Sequence, residues 1–229
     1  MIKFGRLSLI LVLILFVSGC SFLAGKGPDI FDPGEKDYVE DSIEPSDEPS
    51  DSIDPAVPIA DGFDFPVGGR NGEGWAITGY DFLVWSNASN SWHPGEDWNI
   101  PGAGDGDWGE PVYSIGHGVV VFSGWNTAQG NIVTIEHQLA NGSKVWSQYA
   151  HLDQRYVQVG ETVERRQEIG TVGRGPNNRF TAHLHFEIRK TYLASNAWPR
   201  TNGQPWNRSQ LLQHWLHPSN FINQNRPHQ

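Results

Sequence analysis

The sequence is almost without cysteine, since Cys20 is the single one among 229 residues. A lone cysteine excludes an internal disulfide and any zinc site built from several thiolates. The chain also lacks an HExxH segment, which excludes a zinc site of the thermolysin type with a glutamate base on a helix. Basic residues are too few for the positive stripe of a nucleic-acid-binding protein, because 26 acidic residues stand against 16 basic ones.

Long apolar stretches are missing too. The mainly apolar run at residues 7–17 has eleven residues, whereas a transmembrane helix needs about 20. Lys3 and Arg6 precede this run and small residues follow it, which is typical of an export signal. The letters VSGC, ending at Cys20, resemble a bacterial lipobox. This resemblance implies a signal peptide at residues 1–19 and a membrane anchor of palmitate and related acyl chains on Cys20; a plain export signal with a chance cysteine is the alternative.

Large apolar residues are scarce in residues 20–61, which are rich in Asp, Glu, Pro and Ser. Most of the negative charge lies here, because residues 1–61 have a net charge of −8 and the remaining 168 residues only −2. Such a segment cannot bury enough apolar surface to offset the entropy lost on ordering. We therefore expect a disordered, self-repelling tether after the lipidated cysteine. A partner-binding role for the segment is the alternative.

From Gly62 onward the chain is rich in aromatic residues, glycine and short runs of β-forming residues. These runs predict strands near 111–123, 131–138, 144–151 and 183–189, and the turn signal at Asn141-Gly142 predicts that the second and third form a hairpin. Helical periodicity is present only in the letters SQLLQHWL near the end. We expect a mostly β domain at residues 62–229: an antiparallel sheet with a groove, long loops, little helix and a C-terminal cap.

Two histidines separated by one residue stand in the last predicted strand. Successive side chains of a strand point to opposite faces, so His183 and His185 share one face with Glu187. The other face carries the apolar residues Leu184, Phe186 and Ile188. The apolar face is expected to pack inward and the histidines to face a cleft. A half-buried strand whose polar face happens to hold histidines is the structural alternative.

Further histidines occur upstream in two short segments. In HPGED, His93 and Asp97 are four residues apart, with a proline and a glycine that let one turn bring both side chains to the same ion. In YAHL, His151 ends a predicted strand. Each segment alone is also compatible with a structural histidine. Two imidazoles and a carboxylate would nevertheless meet the needs of a catalytic zinc site, which has three protein ligands and an open fourth position.

The segments HPGED, YAHL and HLHFEIR, in this order, resemble the lysostaphin-type zinc metalloendopeptidases that cut peptidoglycan. The resemblance implies one zinc ion per chain, bound by His93, Asp97 and His185. It also implies that His151 and His183 are catalytic. We expect His183 to act as the general base near neutral pH, and His151 to stabilise the oxyanion or protonate the leaving amine.

The same resemblance implies an enzyme that hydrolyses the peptide cross-links or stem peptides of peptidoglycan, and the lipobox-like letters at Cys20 imply that it is lipid-anchored. The anchor would lie in the cell envelope, on the periplasmic face of an outer membrane if the host has one and otherwise on the outer face of the cell membrane. The alternative is a non-catalytic relative that binds murein or activates an amidase. The chain departs from the family in three places, and the first two border the expected groove: Thr181-Ala182 in place of a Gly-Pro step, a lengthened GAGDGDWG loop, and the tail after Lys190.

Several other residues receive a structural interpretation. His117 and His137 have no ligand partner at motif spacing, so we expect them to be structural or exposed. The segment VGETVERRQEIGTVG predicts a second tight pair of strands, with Val163 and Ile169 pointing inward. Packing is also the expected role of most of the ten tryptophans, although those near HPGED would suit the lining of a groove.

Overall fold

The computed structural model describes residues 56–227. The signal peptide, Cys20 and nearly all of the tether lie outside these residues, so their assignment stays a prediction. Ala60, at the end of the predicted tether, is buried, and its N–H donates to the carbonyl oxygen of Gln138 over 2.8 Å. The chain therefore contacts the sheet slightly before Gly62, and the boundary drawn there also stays a prediction.

Strands dominate the described part of the chain, which has fourteen strands, two short α-helices and one 3-10 turn. The strands are β1 (Ala76–Ile77), β2 (Trp85–Ser86), β3 (Ser91–Trp92), β4 (Glu96–Asn99), β5 (Pro111–Tyr113), β6 (Gly118–Asn126), β7 (Gly130–Gln138), β8 (Lys144–Arg155), β9 (Thr162–Val163), β10 (Glu168–Val172), β11 (Leu184–Arg189), β12 (Arg200–Thr201), β13 (Gln204–Pro205) and β14 (Trp215–Leu216). The helices are α1 (Arg208–His214) and α2 (Pro218–Gln224), and the 3-10 turn is Pro176–Asn178. Between residues 56 and 227, neither helix has the length and apolar character that crossing a bilayer would require.

Ten of the strands form one sheet in which the paired strands run antiparallel, which confirms the predicted fold class. Its main path is β1-β4-β11-β8-β7-β6-β9. Strand β11, which carries His185, therefore lies between β4, which carries Asp97, and β8, which carries His151. Three segments far apart in the sequence become neighbours because their strands are hydrogen-bonded side by side.

The core lies on the apolar face of β11. Leu184, Phe186 and Ile188 are fully buried there, and the ring of Phe186 lies 5.3 Å from that of Tyr149 on β8. Burying a side chain of this kind contributes about 1.5–3 kcal/mol. A shift of one residue in the register of β11 would remove these side chains from the apolar core and put His185 and Glu187 there instead, so the apolar face fixes which way the polar face points.

The two predicted hairpins differ in outcome. Strands β7 and β8 pair as predicted around Asn141-Gly142, where Gly142 adopts φ 82°. The second prediction is wrong, because β9 pairs with β6 while β10 pairs with β5 and β8. Ser114 separates them: its N–H bonds to Gln167 and its carbonyl oxygen accepts from Arg166. Val163 and Ile169 are nevertheless buried, as expected.

Residues 191–226, the C-terminal segment, pack against the sheet. Helix α1, which confirms the predicted helical stretch, begins at a capping box in which Asn207 and Gln210 satisfy each other's backbone N–H groups. Directly after α1, strand β14 pairs with β11, where Trp215 faces Arg189. The segment is thus joined to the strand that bears His185.

One buried histidine outside the site makes stability depend on pH. The ring nitrogens of His137 lie 2.8 Å from the carbonyl oxygen of His117 and 2.7 Å from Oγ of Ser147. Burial lowers the pKa of His137 to about 4. In the unfolded chain His137 is protonated as the pH falls below about 6.5, whereas in the folded chain it stays neutral down to about pH 4. The free energy of unfolding is therefore unaffected by protonation of His137 above pH 6.5. It decreases as the pH falls below that value, by up to about 3 kcal/mol at pH 4.

We therefore expect the difference in unfolding free energy between the wild type and His137→Gln to shrink as the pH falls from 7 to 4. Chemical denaturation at several pH values measures it. Other acid-sensitive groups are common to both proteins, so they cancel in the difference. A difference that is the same at every pH would show that His137 does not resist protonation in the fold.

Candidate metal centre

The segment HPGED turns sharply before β4. Pro94 and Gly95 separate His93 from the strand, and Gly95 is buried against β11. A β-carbon at Gly95 would collide with the carbonyl oxygen of Phe186. Glycine at this position thus lets the turn approach β11, and this approach brings His93 and Asp97 beside His185.

Three buried side chains converge at this point, from His93, Asp97 and His185. Nε2 of His93 lies 3.0 Å from Nδ1 of His185 and 3.2 Å from Oδ1 of Asp97. Nδ1 of His185 and Oδ1 of Asp97 are 2.9 Å apart. Three ligands about 2.0–2.1 Å from a tetrahedral ion would be separated by roughly 3.3 Å. The two nitrogens and one oxygen therefore have the types and the spacing that zinc requires.

The charges around these atoms favour an ionised Asp97 beside a protonated His185. Burial would raise the pKa of Asp97, but the charge on His93 and the hydrogen bonds from His185 and His93 hold it well below its usual range. Burial likewise opposes charge on His185, but hydrogen bonds to Asp97 and Glu187 raise its pKa to about 9. A divalent cation would take the place of the proton between His185 and Asp97, because metal binding releases protons from its ligands.

The remaining oxygen of Asp97 is held by the loop before β2. The backbone N–H of Tyr80 donates to Oδ2 of Asp97 over 3.3 Å, and the N–H of Asp97 donates to the carbonyl oxygen of Tyr80 over 2.9 Å. A β-carbon on Gly79 would lie 2.8 Å from that of Asp97, so the loop can make this approach only with glycine there. Oδ1 is thereby directed toward the two histidines.

His183 and His151, the two residues predicted to be catalytic, lie beside the three candidate ligands with rings 4.8 Å apart. Nδ1 of His183 is 2.8 Å from the carbonyl oxygen of Thr181, and Nδ1 of His151 is 2.8 Å from that of Gln129. A carbonyl can only accept, so each Nδ1 carries the hydrogen and each Nε2 keeps its lone pair. Nε2 of His183 points toward the site, 3.9 Å from Oδ1 of Asp97.

His151 reaches the site through an irregularity in β8. Ala150 pairs with His185 and so shares its face, which by simple alternation would place His151 on the opposite face. The register between β7 and β8 shifts at this point, and His151 has φ 64°. This bulge turns its ring to 5.6 Å from that of His185. Burial lowers the pKa of His151 to about 3.

An open cleft of about 340 Å³ adjoins the site. It is lined by Thr78, Gly79, Tyr80, Asp97, Asn99, Phe180, Thr181 and His183. The lengthened loop contacts the chain between Thr181 and His183, which line the cleft, because Oδ1 of Asp105 accepts from the N–H of Ala182 over 2.8 Å. An extended ligand in this cleft would lie beside Asp97 and His183.

A second group of possible ligands contains Asp81, Glu96 and His217. Both oxygens of Glu96 already accept hydrogen bonds, from the N–H and hydroxyl of Ser219 and from the indole of Trp98. Nδ1 of His217 lies a further 2.9 Å from Oε1. Hydrogen bonds to other parts of the chain account for this cluster. In the cluster around His93, by contrast, two ring nitrogens and one carboxylate oxygen converge on one point.

Two aromatic residues of the C-terminal segment contact the site and were given no role by the sequence. The ring of Trp198 lies 6.0 Å from that of His93 and 5.7 Å from that of His185. Nε1 of Trp215 donates to Glu187 over 2.7 Å. Strand alternation places Glu187 on the same face as His185. No spacing in the sequence, however, predicts that Trp198 or Trp215 of the C-terminal segment would contact this face.

Comparison with known proteins gives an independent view of this region. The model of a protein family described as peptidase family M23 matches residues 93–206. Peptidoglycan DD-endopeptidase ShyC of Vibrio cholerae is 39% identical over 93 residues, which are 41% of this chain and 20% of that protein. Peptidoglycan DD-endopeptidase ShyA of the same organism is 37% identical over 97 residues, 42% of this chain and 20% of that protein.

Two further matches widen the comparison. The lipoprotein YgeR of Escherichia coli is 31% identical over 116 residues, covering 50% of this chain and 41% of that protein. A crystal structure of a zinc-containing peptidase from Vibrio cholerae is 30% identical, with a TM-score of 0.44, over 56% of this chain and 36% of that one. The chain thus spans less than half the length of each of these proteins.

Proposed function

We propose, from the premise that residues 93–206 form a domain of peptidase family M23, that the protein is a zinc endopeptidase acting on peptidoglycan. The observation that carries the proposal is the convergence of His93, Asp97 and His185, whose three facing atoms lie 2.9–3.2 Å apart. His151 and His183 stand beside them with Nε2 free to exchange a proton. The same five residues were predicted from the sequence.

The donor set suits zinc in type and number. Two imidazole nitrogens and one carboxylate oxygen leave a fourth position for water or substrate. When bound, zinc supplies Lewis-acid chemistry, polarising the scissile carbonyl and increasing the acidity of water. Asp97 contributes the negative charge of the set, and its second oxygen is fixed by the N–H of Tyr80. His93 contributes Nε2, while its buried Nδ1 has no hydrogen-bond partner in the described part of the chain.

The two remaining histidines handle the protons of hydrolysis. His183 lies at the cleft, and its Nε2 takes the proton of the attacking water, because its Nδ1–H is held by Thr181. His151 lies beside His183 with its Nε2 unprotonated, so it would protonate the leaving amine or stabilise the oxyanion only after receiving the proton that His183 takes from the water. The carbonyl oxygens of Thr181 and Gln129 keep both rings in the required tautomer.

The proposed substrates are the peptide cross-links or stem peptides of peptidoglycan. Two relatives named peptidoglycan DD-endopeptidases support this choice, although they share only part of their length with the chain. The lipobox-like letters at Cys20 and the similarity to a protein named a lipoprotein support a lipid anchor in the cell envelope. The acidic tether would let the domain reach from the membrane to the wall.

Digestion of purified peptidoglycan tests the proposal. We expect new amine termini and shortened muropeptides, identified by mass spectrometry, with the wild type and not after removal of zinc by a chelator. Restoring zinc should restore the products. If the protein binds one zinc ion yet generates no amine termini, the enzyme proposal is wrong, and binding of murein or activation of an amidase takes its place.

A further inference from the structure

A buried carboxylate lies directly behind the candidate ligand His185. Nδ1 of His185 faces the metal position, and Nε2 on the opposite side of the ring lies 2.9 Å from Oε1 of Glu187. His185 and Glu187 are both almost inaccessible to solvent. A carboxylate can only accept here, so Nε2 carries a hydrogen, and Nδ1 is the nitrogen that offers its lone pair once a metal displaces the proton shared with Asp97.

The other oxygen of Glu187 is held by two donors. Nε of Arg189 and the indole Nε1 of Trp215 each donate to Oε2 over 2.7 Å. Arg189 lies on β11 itself, two residues beyond Glu187. Trp215 comes from the C-terminal segment, outside residues 93–206 that match the family model. The carboxylate is therefore oriented in part by a residue that the matched region does not contain.

The position of Trp215 is itself well fixed. It is fully buried, and it follows α1, whose start is set by the capping box of Asn207 and Gln210. Strand β14 pairs with β11 at Arg189, and the N–H of Lys190 donates to the carbonyl oxygen of His214 over 2.7 Å. Backbone pairing on either side of the indole thus limits how far its N–H can move.

We propose that Trp215 and Glu187 are positioning residues of the metal centre. Trp215 orients the carboxylate of Glu187, Glu187 orients the ring of His185, and the C-terminal segment thereby sets the affinity for zinc. The inference rests on the proposed function, because it takes His93, Asp97 and His185 as zinc ligands. It assigns the tail after Lys190 a task within the site, beyond covering the sheet.

The test compares two tryptophans of the same cluster. Trp206 and Trp215 pack with ring centres 5.9 Å apart, but the indole of Trp206 donates to the exposed Thr201 hydroxyl and not to the site. We expect Trp215→Phe to weaken zinc binding by about 10- to 100-fold, the usual effect of losing a residue that orients a ligand. Trp206→Phe should leave the affinity within about twofold of the wild type. Competition of the full-length protein with a chromophoric chelator measures both.

A spectroscopic measurement separates positioning from general loosening of the fold. Cobalt(II) bound in place of zinc has visible absorption bands that depend on the orientation of its ligands. These bands should change in Trp215→Phe and stay unchanged in Trp206→Phe. Equal affinities and equal spectra in the two variants would overturn the inference. A wild type that binds no zinc would overturn the proposed function together with it.

Glu187→Gln provides a second variant, which decides the matter if Trp215→Phe does not fold. It keeps the size of the side chain but removes the charge that receives the hydrogen of His185, so zinc should bind at least about tenfold more weakly. Unchanged affinity would contradict the proposal. Where both variants fold, combining them should weaken zinc binding no more than Glu187→Gln alone, because Trp215 acts only through that carboxylate. A fully additive loss would contradict this chain of contacts.

Discussion

Replacing His93 with alanine is expected to abolish stoichiometric zinc binding and to reduce hydrolysis of peptidoglycan by about 10³-fold or more. In this variant only two of the proposed ligands, Asp97 and His185, remain, whereas a catalytic zinc site has three protein ligands. Lewis-acid assistance contributes several kcal/mol to such reactions, and each factor of ten in rate corresponds to about 1.4 kcal/mol. Metal analysis of the dialysed protein measures the first effect, and release of amine termini measures the second.

The second cluster of possible ligands offers the matched control. His217 forms a group of possible metal ligands with Asp81 and Glu96, just as His93 does with Asp97 and His185. His217→Ala should keep one zinc ion per chain, because hydrogen bonds from Ser219 and Trp98 already satisfy Glu96. Loss of zinc in His217→Ala together with its retention in His93→Ala would place the ion in the other cluster and refute the proposed ligands.

Much of the candidate site could be predicted because β11 obeys simple alternation. Leu184, Phe186 and Ile188 are buried on one face, and His185 lies on the other, as a period of two requires. The turn HPGED could be interpreted locally, since proline and glycine allow a sharp reversal. These signals depend only on neighbouring residues, which is why one sequence was enough to find them.

Other features depend on contacts between distant segments. His151 reaches the site through a bulge with φ 64°, although alternation would turn it away, and only its place in a known motif indicated its role. The pairing of β9 and β10 was wrongly predicted because Ser114 takes up the backbone groups between them. The contact of Trp215 with Glu187 spans 28 residues of sequence and follows from the pairing of β14 with β11.

Replacing His183 with alanine should leave zinc bound and reduce kcat by about 10²- to 10⁴-fold, the usual contribution of a general base. The ring does not belong to the three converging ligands, and its Nε2 is 3.9 Å from Oδ1 of Asp97. His117→Ala is the control, since His117 lies on a loop outside the cleft and should retain full activity. Steady-state hydrolysis of a synthetic stem peptide, with zinc content measured on the same samples, gives the result. Full activity in His183→Ala would remove it from the mechanism.

The division of work between His183 and His151 follows from the same assay. Each ring holds its Nδ1–H on a backbone carbonyl, and the rings lie 4.8 Å apart, so both can serve one path of proton transfer. Residues that act as one unit show strongly non-additive effects. The double variant His151→Ala/His183→Ala should therefore be little slower than the slower single variant. If the two losses in kcat multiply, the histidines act in independent steps, and the shared path is wrong.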